Sequence, residues 1–213
     1  MEITWYGHSC FRIVERGVAS IATDPYARSI GYGELKLAKT DIVTVSHDAP
    51  GHNFVDAVKA EVVLARPGEY EIGGVFITGV AMFNPENGDR SGPNVVFIFN
   101  FDNLAVCHLG DLDYVPAQSQ IEALGSIDIL LIPVGGGGGM NSSQAVEVIS
   151  LIEPSVVVPM HYATPDTRVK GLEGVDRFMK EMGLAAIEPQ ESLKLTSTAS
   201  LEETQVVVLN YNH

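Results

Sequence analysis

Four apolar, β-branched runs in this chain end directly in polar tips that carry metal-binding residue types. No other feature constrains the fold as tightly. Residues 41–45 run into Ser46-His47-Asp48-Ala49-Pro50-Gly51-His52-Asn53, and residues 75–80 lead to Phe83-Asn84-Pro85. Residues 105–107 run into His108-Leu109-Gly110-Asp111, and residues 156–159 into Met160-His161-Tyr162. Short β-branched runs read as strands buried on both faces. Loops at the ends of such strands are where rigid scaffolds hold catalytic groups. One histidine at a strand end is ordinarily a hydrogen-bonded structural residue. Four of the six histidines there, with Asp111, point instead to a metal or former metal site. Imidazole and carboxylate are the ligands that bind zinc, iron or manganese with open coordination positions.

The rest of the chain supplies the scaffold. Residues 3–6, 10–14 and 20–23 are short, β-rich and separated by Gly or polar turns, which predicts a meander. Strands are also expected at 41–46, 61–65, 75–80, 94–101 and 105–108, with turns at Gly73-Gly74 and Asp102-Asn103. The second half alternates. A helix at 117–123 precedes a strand at 127–133, and a helix at 142–152 presents Ala145, Val146, Val148, Ile149 and Ile152 on one face. Asn141, Ser142 or Ser143 can cap that helix. A strand at 156–159, a helix at 175–182 ended by Gly183, and strands at 193–195 and 205–209 follow. Sheets packed on one another with helices outside is the economical architecture, in the α/β or α+β class. With 213 residues, 46% of them apolar, and no linker or repeat, a single domain over 1–213 is expected.

Charge narrows the partners. Acidic residues outnumber basic ones 27 to 13, a net charge of −14, which repels nucleic-acid backbones and anionic membranes alike. A small-molecule substrate or ligand is the expected partner, and a homo-oligomer stays open. The start of the chain has no basic region followed by an apolar run, and no stretch of 18 apolar residues occurs, so neither a signal peptide nor a membrane helix is expected. Cys10 and Cys107 then read as buried free thiols of a cytoplasmic protein.

A resemblance becomes specific once the motifs are taken in order. Ile3-Thr4-Trp5-Tyr6-Gly7-His8, Thr23-Asp24-Pro25-Tyr26, Ser46-His47 with His52-Asn53, Pro67-Gly68-Glu69-Tyr70, His108-Leu109-Gly110-Asp111 and Pro159-Met160-His161-Tyr162 succeed one another. This series resembles the metal-dependent hydrolase branch of the metallo-β-lactamase superfamily, and more narrowly the group related to ascorbate-6-phosphate lactonase. The resemblance implies a four-layer αββα sandwich of two mixed sheets with helices outside, the site lying at one edge between the sheets. It also implies a His-x-His-x-Asp-His motif feeding two metals. A later His completes the first metal's set, an Asp in a Gly-Asp pair bridges the two, and a final His completes the second.

Matched residue by residue, this chain keeps part of that set. His47 stands at the first His and His52 at the closing His, but Ala49 replaces the second His and Gly51 the Asp. Asn84 stands at the later His, Asp111 at the bridging Asp and His161 at the final His. The first site therefore keeps only His47 and a share of Asp111. The second keeps His52, Asp111 and His161, the three protein ligands and open position of an ordinary catalytic zinc. One divalent metal at most (Zn, Mn or Fe) is implied, a metal-free protein being the other reading. Asp111 and Asp48 are the expected catalytic carboxylates, Asp48 by swinging in near the place that Gly51 leaves empty. His8 and His108 read as supporting or core histidines, and Asp24 as a buttress of the His-bearing loop. Five consecutive glycines, 135–139, read equally as a backbone cradle for an anion or as a flexible loop.

Two functions follow. One is hydrolysis of a small ester, lactone or phosphoester on one metal. The other is a non-catalytic relative, used for ligand binding or assembly, motivated by Ala49, Gly51 and Asn84. A nuclease of the same superfamily is disfavoured by the −14 charge and the depleted ligand set.

Overall fold

The strand periodicity resolves into two mixed sheets in the computed structural model, which describes residues 1–84, 93–199 and 201–212. Pro85, the end of the Phe83-Asn84-Pro85 tip, lies outside the described residues. The six-stranded sheet runs β12 (Leu193–Lys194), β1 (Glu2–Gly7), β2 (Cys10–Val14), β3 (Ile21–Thr23), β4 (Ile42–Thr44), β5 (Val62–Leu64). It is antiparallel as far as β3 and parallel from β3 to β5. The seven-stranded sheet runs β13 (Gln205–Val206), β11 (Val156–Met160), β10 (Ile129–Pro133), β9 (Ala105–His108), β8 (Asn94–Asn100), β7 (Val75–Met82), β6 (Gly68–Ile72). Its first four strands are parallel and the rest antiparallel.

Alternating side chains join the sheets into one core. Ile21 and Ile42 point into the apolar cluster shared with Phe97, Phe99 and Val106 of the other sheet. Their neighbours Ala22 and Val43 point the other way, into a second cluster with Tyr26, Tyr32, Leu35, Val45 and Val58. A slip of one residue in β3 or β4 would exchange these faces, so the register is strongly specified. Among the described residues that outer face is covered by loop and by the 3-10 turns Arg28–Ile30 and Val55–Ala57, a thin layer compared with the opposite side.

β10 and β11 are buried along their whole length and need cover on both faces. The helices α2 (Ser142–Ile152) and α3 (Val175–Glu181) supply Ala145, Val148, Ile149, Phe178 and Met179 to the same core, and the short α1 (Gln118–Glu122) adjoins α2. Asn141 caps α2: its side chain accepts from Gln144 N–H at 3.0 Å, and Gln144 Oε1 accepts from Asn141 N–H at 3.0 Å. β6, which the sequence presents only as a Pro-Gly-Glu-Tyr motif, is an edge strand closed onto β7 by the Gly73-Gly74 turn. Cys10 and Cys107 are both buried and free. No helix of the described residues is long and apolar enough to cross a membrane.

The parallel strands all deliver their C-terminal ends to one edge, the usual ligand-binding edge of such sheets. Asp24 follows β3, Ser46 and His47 follow β4, Asp111 follows β9 and His161 follows β11. The tip of the β1–β2 hairpin, His8-Ser9, closes on the same edge, where the His161 N–H donates to the His8 carbonyl at 3.0 Å.

Candidate metal centre

Asp24 organises the first part of the site. Its Oδ1 accepts the Ser46 N–H at 2.7 Å, and its Oδ2 accepts the Ser46 hydroxyl at 2.6 Å and the His52 Nδ1–H at 2.7 Å. With its proton committed to Asp24, Ser46 Oγ accepts from His47 Nδ1 at 3.0 Å. Both rings are thereby held through Nδ1, leaving Nε2 as the lone-pair nitrogen. Asp24 is fully buried, which alone would raise its pKa. The bonds from His52 and Ser46 and the nearby His108 outweigh this and hold it below the usual carboxylate range. In return, burial pulls His52 down but the Asp24 bond and charge prevail and raise it.

Asp111 is placed by its neighbours. Asn94 Oδ1 accepts the Asp111 N–H at 3.0 Å while Asn94 Nδ2 donates to the Leu109 carbonyl at 2.8 Å, so Asn94 clamps the turn. Gly110 sits at φ +64°, where a Cβ would lie 2.5 Å from Ser46 Cβ, so the turn before Asp111 requires glycine. His161, at φ +52°, brings Nε2 to 3.4 Å from Asp111 Oδ1.

The four residues expected as ligands, His47, His52, Asp111 and His161, thus converge, and His8 joins them. Ligand atoms of His47, His52 and Asp111 lie within 4.8 Å of one another, and so do those of His8, His52 and His161. The two triads share His52, whose Nδ1 is taken by Asp24. A single free nitrogen serves only one ion, so the triads compete.

The chemistry of the donors fits a cation. Burial above all lowers His161 to about 3, His8 well below its ordinary value, and His47 less far, so these rings are neutral, as ligands must be. Burial raises Asp111. Among the described residues, His8 Nδ1, His161 Nδ1 and Asp111 Oδ1 are buried without a hydrogen-bond partner. Each such atom costs about 1–3 kcal/mol, a burden that coordination to an ion relieves where a lone pair faces it.

The remaining residues divide plainly. His108 is saturated, Nε2 bonding the Ser9 carbonyl at 2.9 Å and Nδ1 accepting from Gly110 N–H at 3.3 Å. Asp48 is exposed, accepts from Asn53 Nδ2, and enters neither triad. The glycine run is a packed loop. A Cβ on Gly135 would lie 2.3 Å from the His161 carbonyl oxygen, on Gly137 2.7 Å from Leu172, and on Gly139 2.3 Å from Asp111 Oδ1. The run lets the loop lie flush on His161 and Asp111. Sequence reasoning missed Asn94 and the approach of His8; the Gly110–Asp111 pair was the one signal for the clamped turn.

Two cavities meet at the centre. One, of about 200 Å³, is lined by His47, Met82, Asn84, Asn94, Asp111 and Tyr114. The other, of about 520 Å³, is mainly apolar, with Val45, Val55, Val63, Val95, Asp48 and Arg66 in its walls. His47 and Pro93 border both.

Known proteins show the same arrangement of chain. The family model of the beta-lactamase superfamily domain matches residues 2–161. A UPF0173 protein of Pyrococcus abyssi is 31% identical over 185 residues, 77% of this chain and 84% of its own. A UPF0173 metal-dependent hydrolase of Thermoplasma acidophilum is 29% identical, with 78% and 85% covered. A solved structure from Thermotoga maritima, of the metallo-beta-lactamase superfamily, is 35% identical with a TM-score of 0.79, covering 98% of this chain and 99% of that one.

Proposed function

The chain belongs to the beta-lactamase superfamily, and from that premise we propose that it is a metal-dependent hydrolase working with a single divalent ion on a small ester, lactone or phosphoester. The observation that carries this reading is the pairwise approach of His52, Asp111 and His161: His52 offers a ligand atom within 4.8 Å of one on each of the other two, and His161 Nε2 lies 3.4 Å from Asp111 Oδ1. Relatives named as metal-dependent hydrolases support it.

These three residues would hold the ion. A divalent ion in such a set supplies an activated water near neutral pH and polarises a carbonyl or phosphoryl oxygen. The chain's own residues do the rest. Asp24 fixes the His52 ring through Nδ1, and Asn94 fixes the Asp111 backbone. Asp111, whose side chain is 21% exposed, turns one side toward the smaller cavity, where it can take a proton from an attacking water. His47 stands between the two cavities, so a substrate seated in the apolar groove presents its polar end there. Asp48, in the groove wall, serves substrate entry rather than proton transfer in this reading, which moves it from the role the sequence suggested.

Metal analysis of protein purified without chelator tests the proposal, followed by turnover of generic ester, lactone and phosphodiester substrates. About one ion per chain and an activity abolished by Asp111→Ala are expected. Protein that binds no zinc, manganese or iron when each is supplied overturns it. That outcome favours the non-catalytic relative, for which Ala49, Gly51 and Asn84 speak.

A further inference from the structure

We propose that His8 is a ligand of the single ion, its imidazole standing in the space left by the missing side chain of residue 51. The inference rests on the one-metal reading above and adds a donor that the family motif does not supply.

Three observations converge. First, a Cβ built on Gly51 would lie 2.6 Å from His8 Nε2 and 3.0 Å from His8 Cδ2. The ring of His8 therefore fills the volume that an aspartate at this motif position needs. With the ring of His8 in this position, a side chain at residue 51 has no room unless the imidazole turns away. Second, the His8 ring centroid is 4.0 Å from that of His161 and 4.9 Å from that of His52, and all three offer ligand atoms within 4.8 Å of one another. Third, the tip that bears His8 is anchored while its ring is not. The Trp5 Nε1–H donates to the His8 carbonyl at 3.1 Å and the His161 N–H to the same oxygen at 3.0 Å. Gly7, at φ +105°, packs under Tyr32 where a Cβ would meet the ring at 2.5 Å. Yet His8 Nδ1 is buried with no hydrogen-bond partner among the described residues. A backbone so firmly held under an unsatisfied buried ring is a preorganised donor.

The exchange changes the site's character. Three neutral imidazoles and Asp111 leave a bound divalent ion with a net positive charge, one unit more than a set with a second carboxylate. Such a set favours zinc or cobalt over magnesium or calcium and an anionic or carbonyl-bearing substrate over a cationic one.

The test compares cobalt and zinc binding to wild type, His8→Asn, Gly51→Asp and the double variant. Asparagine tolerates the left-handed backbone at residue 8. X-ray absorption on zinc-loaded wild type is expected to count three imidazoles. His8→Asn is expected to weaken affinity at least tenfold and alter the cobalt visible spectrum. Gly51→Asp alone drives the new side chain into His8 and also weakens binding. In the double variant the carboxylate has room, and binding recovers. Wild type that binds with two imidazoles, or a His8→Asn that binds with equal affinity and spectrum, overturns the role of His8 and leaves the one-metal reading standing. Wild type that binds neither ion overturns both. If His8→Asn fails to fold by circular dichroism, the imidazole count on zinc-loaded His47→Asn decides: three imidazoles leave His8 as the third donor, and two overturn its role.

Discussion

The backbone N–H of His161 donates to the carbonyl oxygen of His8 at 3.0 Å, and both residues hold φ at +52°. Through this bond the end of β11 in one sheet is tied to the β1–β2 turn in the other, directly beneath the candidate metal centre. Left-handed backbone at a residue with a Cβ costs about 1–2 kcal/mol, and it persists where surroundings over-determine it. Among the described non-glycine residues with positive φ are His8, Asp24 and His161, which gather at this one site. Glu153 is the contrasting case. It is exposed, at φ +52°, and closes the C-terminus of α2 before β11, at the opposite end of that strand from His161. Glu153→Gly is therefore expected to stabilise the protein by about 0.5–1 kcal/mol in urea unfolding without changing metal content.

Asp24→Asn separates orientation from ligation. The carboxylate accepts three hydrogen bonds, two from Ser46 and one from His52, and an amide nitrogen cannot accept any. The variant is expected to lose about 3–5 kcal/mol of stability in the metal-free state. Its zinc affinity should fall about 10- to 100-fold because His52 loses its fixed tautomer. Chelator-competition titration measures the second effect. An unchanged affinity in the folded variant would show that His52 is not a ligand.

Gly139→Ala probes the approach of the glycine loop to Asp111. The residue's backbone lies outside the left-handed region, and among the described residues the one tight neighbour of an added Cβ is Asp111 Oδ1 at 2.3 Å. The carboxylate can move aside, so metal-free stability should change by less than about 1 kcal/mol. Metal affinity should drop by more than tenfold if the displaced Asp111 carboxylate is the ligand proposed above. Calorimetry with and without zinc distinguishes the two effects.

The architecture was legible in the sequence wherever one physical signal acted alone. Residues 10–14, 105–108 and 142–152 match β2, β9 and α2 because apolar periodicity, and for the helix a capping box, coincide with the element ends. β6 was not legible: in Gly68–Ile72 only Tyr70 and Ile72 alternate with the exposed Glu69 and Glu71, too short a run to stand out, and it is the pairing with β7 that makes it a strand. At the site, His47, His52, Asp111 and His161 were visible because each follows a buried strand. His8 sits in a turn, and its meeting with His52 and His161 depends on two sheets closing and on the absence of a side chain at Gly51. Asn94 and the fit of Gly139 against Asp111 are likewise products of tertiary approach, which no spacing along the chain encodes.

Acid should unfold the metal-free protein more readily than its acidic composition suggests. Burial lowers His8, His47, His108 and His161, the last to about 3. A lowered imidazole binds more protons when unfolded, so its contribution is fully present above about 6.5 and lost as pH falls toward the folded value. His52 and Asp111 are raised and act in the opposite sense, but the four lowered rings outnumber them. The melting temperature in chelator is expected to fall steadily from pH 7 to pH 5. A flat profile would mean that these rings are not buried neutral.

Rebuilding the second metal site tests the residue mapping and the place of His8 together. The motif suggests Ala49→His, Gly51→Asp and Asn84→His as the changes that restore the missing ligands. Ala49 and Asn84 have the surroundings for it: Ala49 is partly exposed, and Asn84 lines the smaller cavity beside His47 and Asp111. Gly51 does not, because its new side chain meets the His8 ring at 2.6 Å. The triple variant with His8 intact is therefore expected to keep at most one ion. Adding His8→Asn clears the volume, and the quadruple variant should bind about two ions per chain, the number its restored ligand sets can hold. Metal analysis after gel filtration reads the difference. Two ions in the triple variant would show that the His8 ring yields easily and is no fixed part of the site. One ion or none in a folded quadruple variant would show that residues 49, 51 and 84 do not face the positions the motif assigns them.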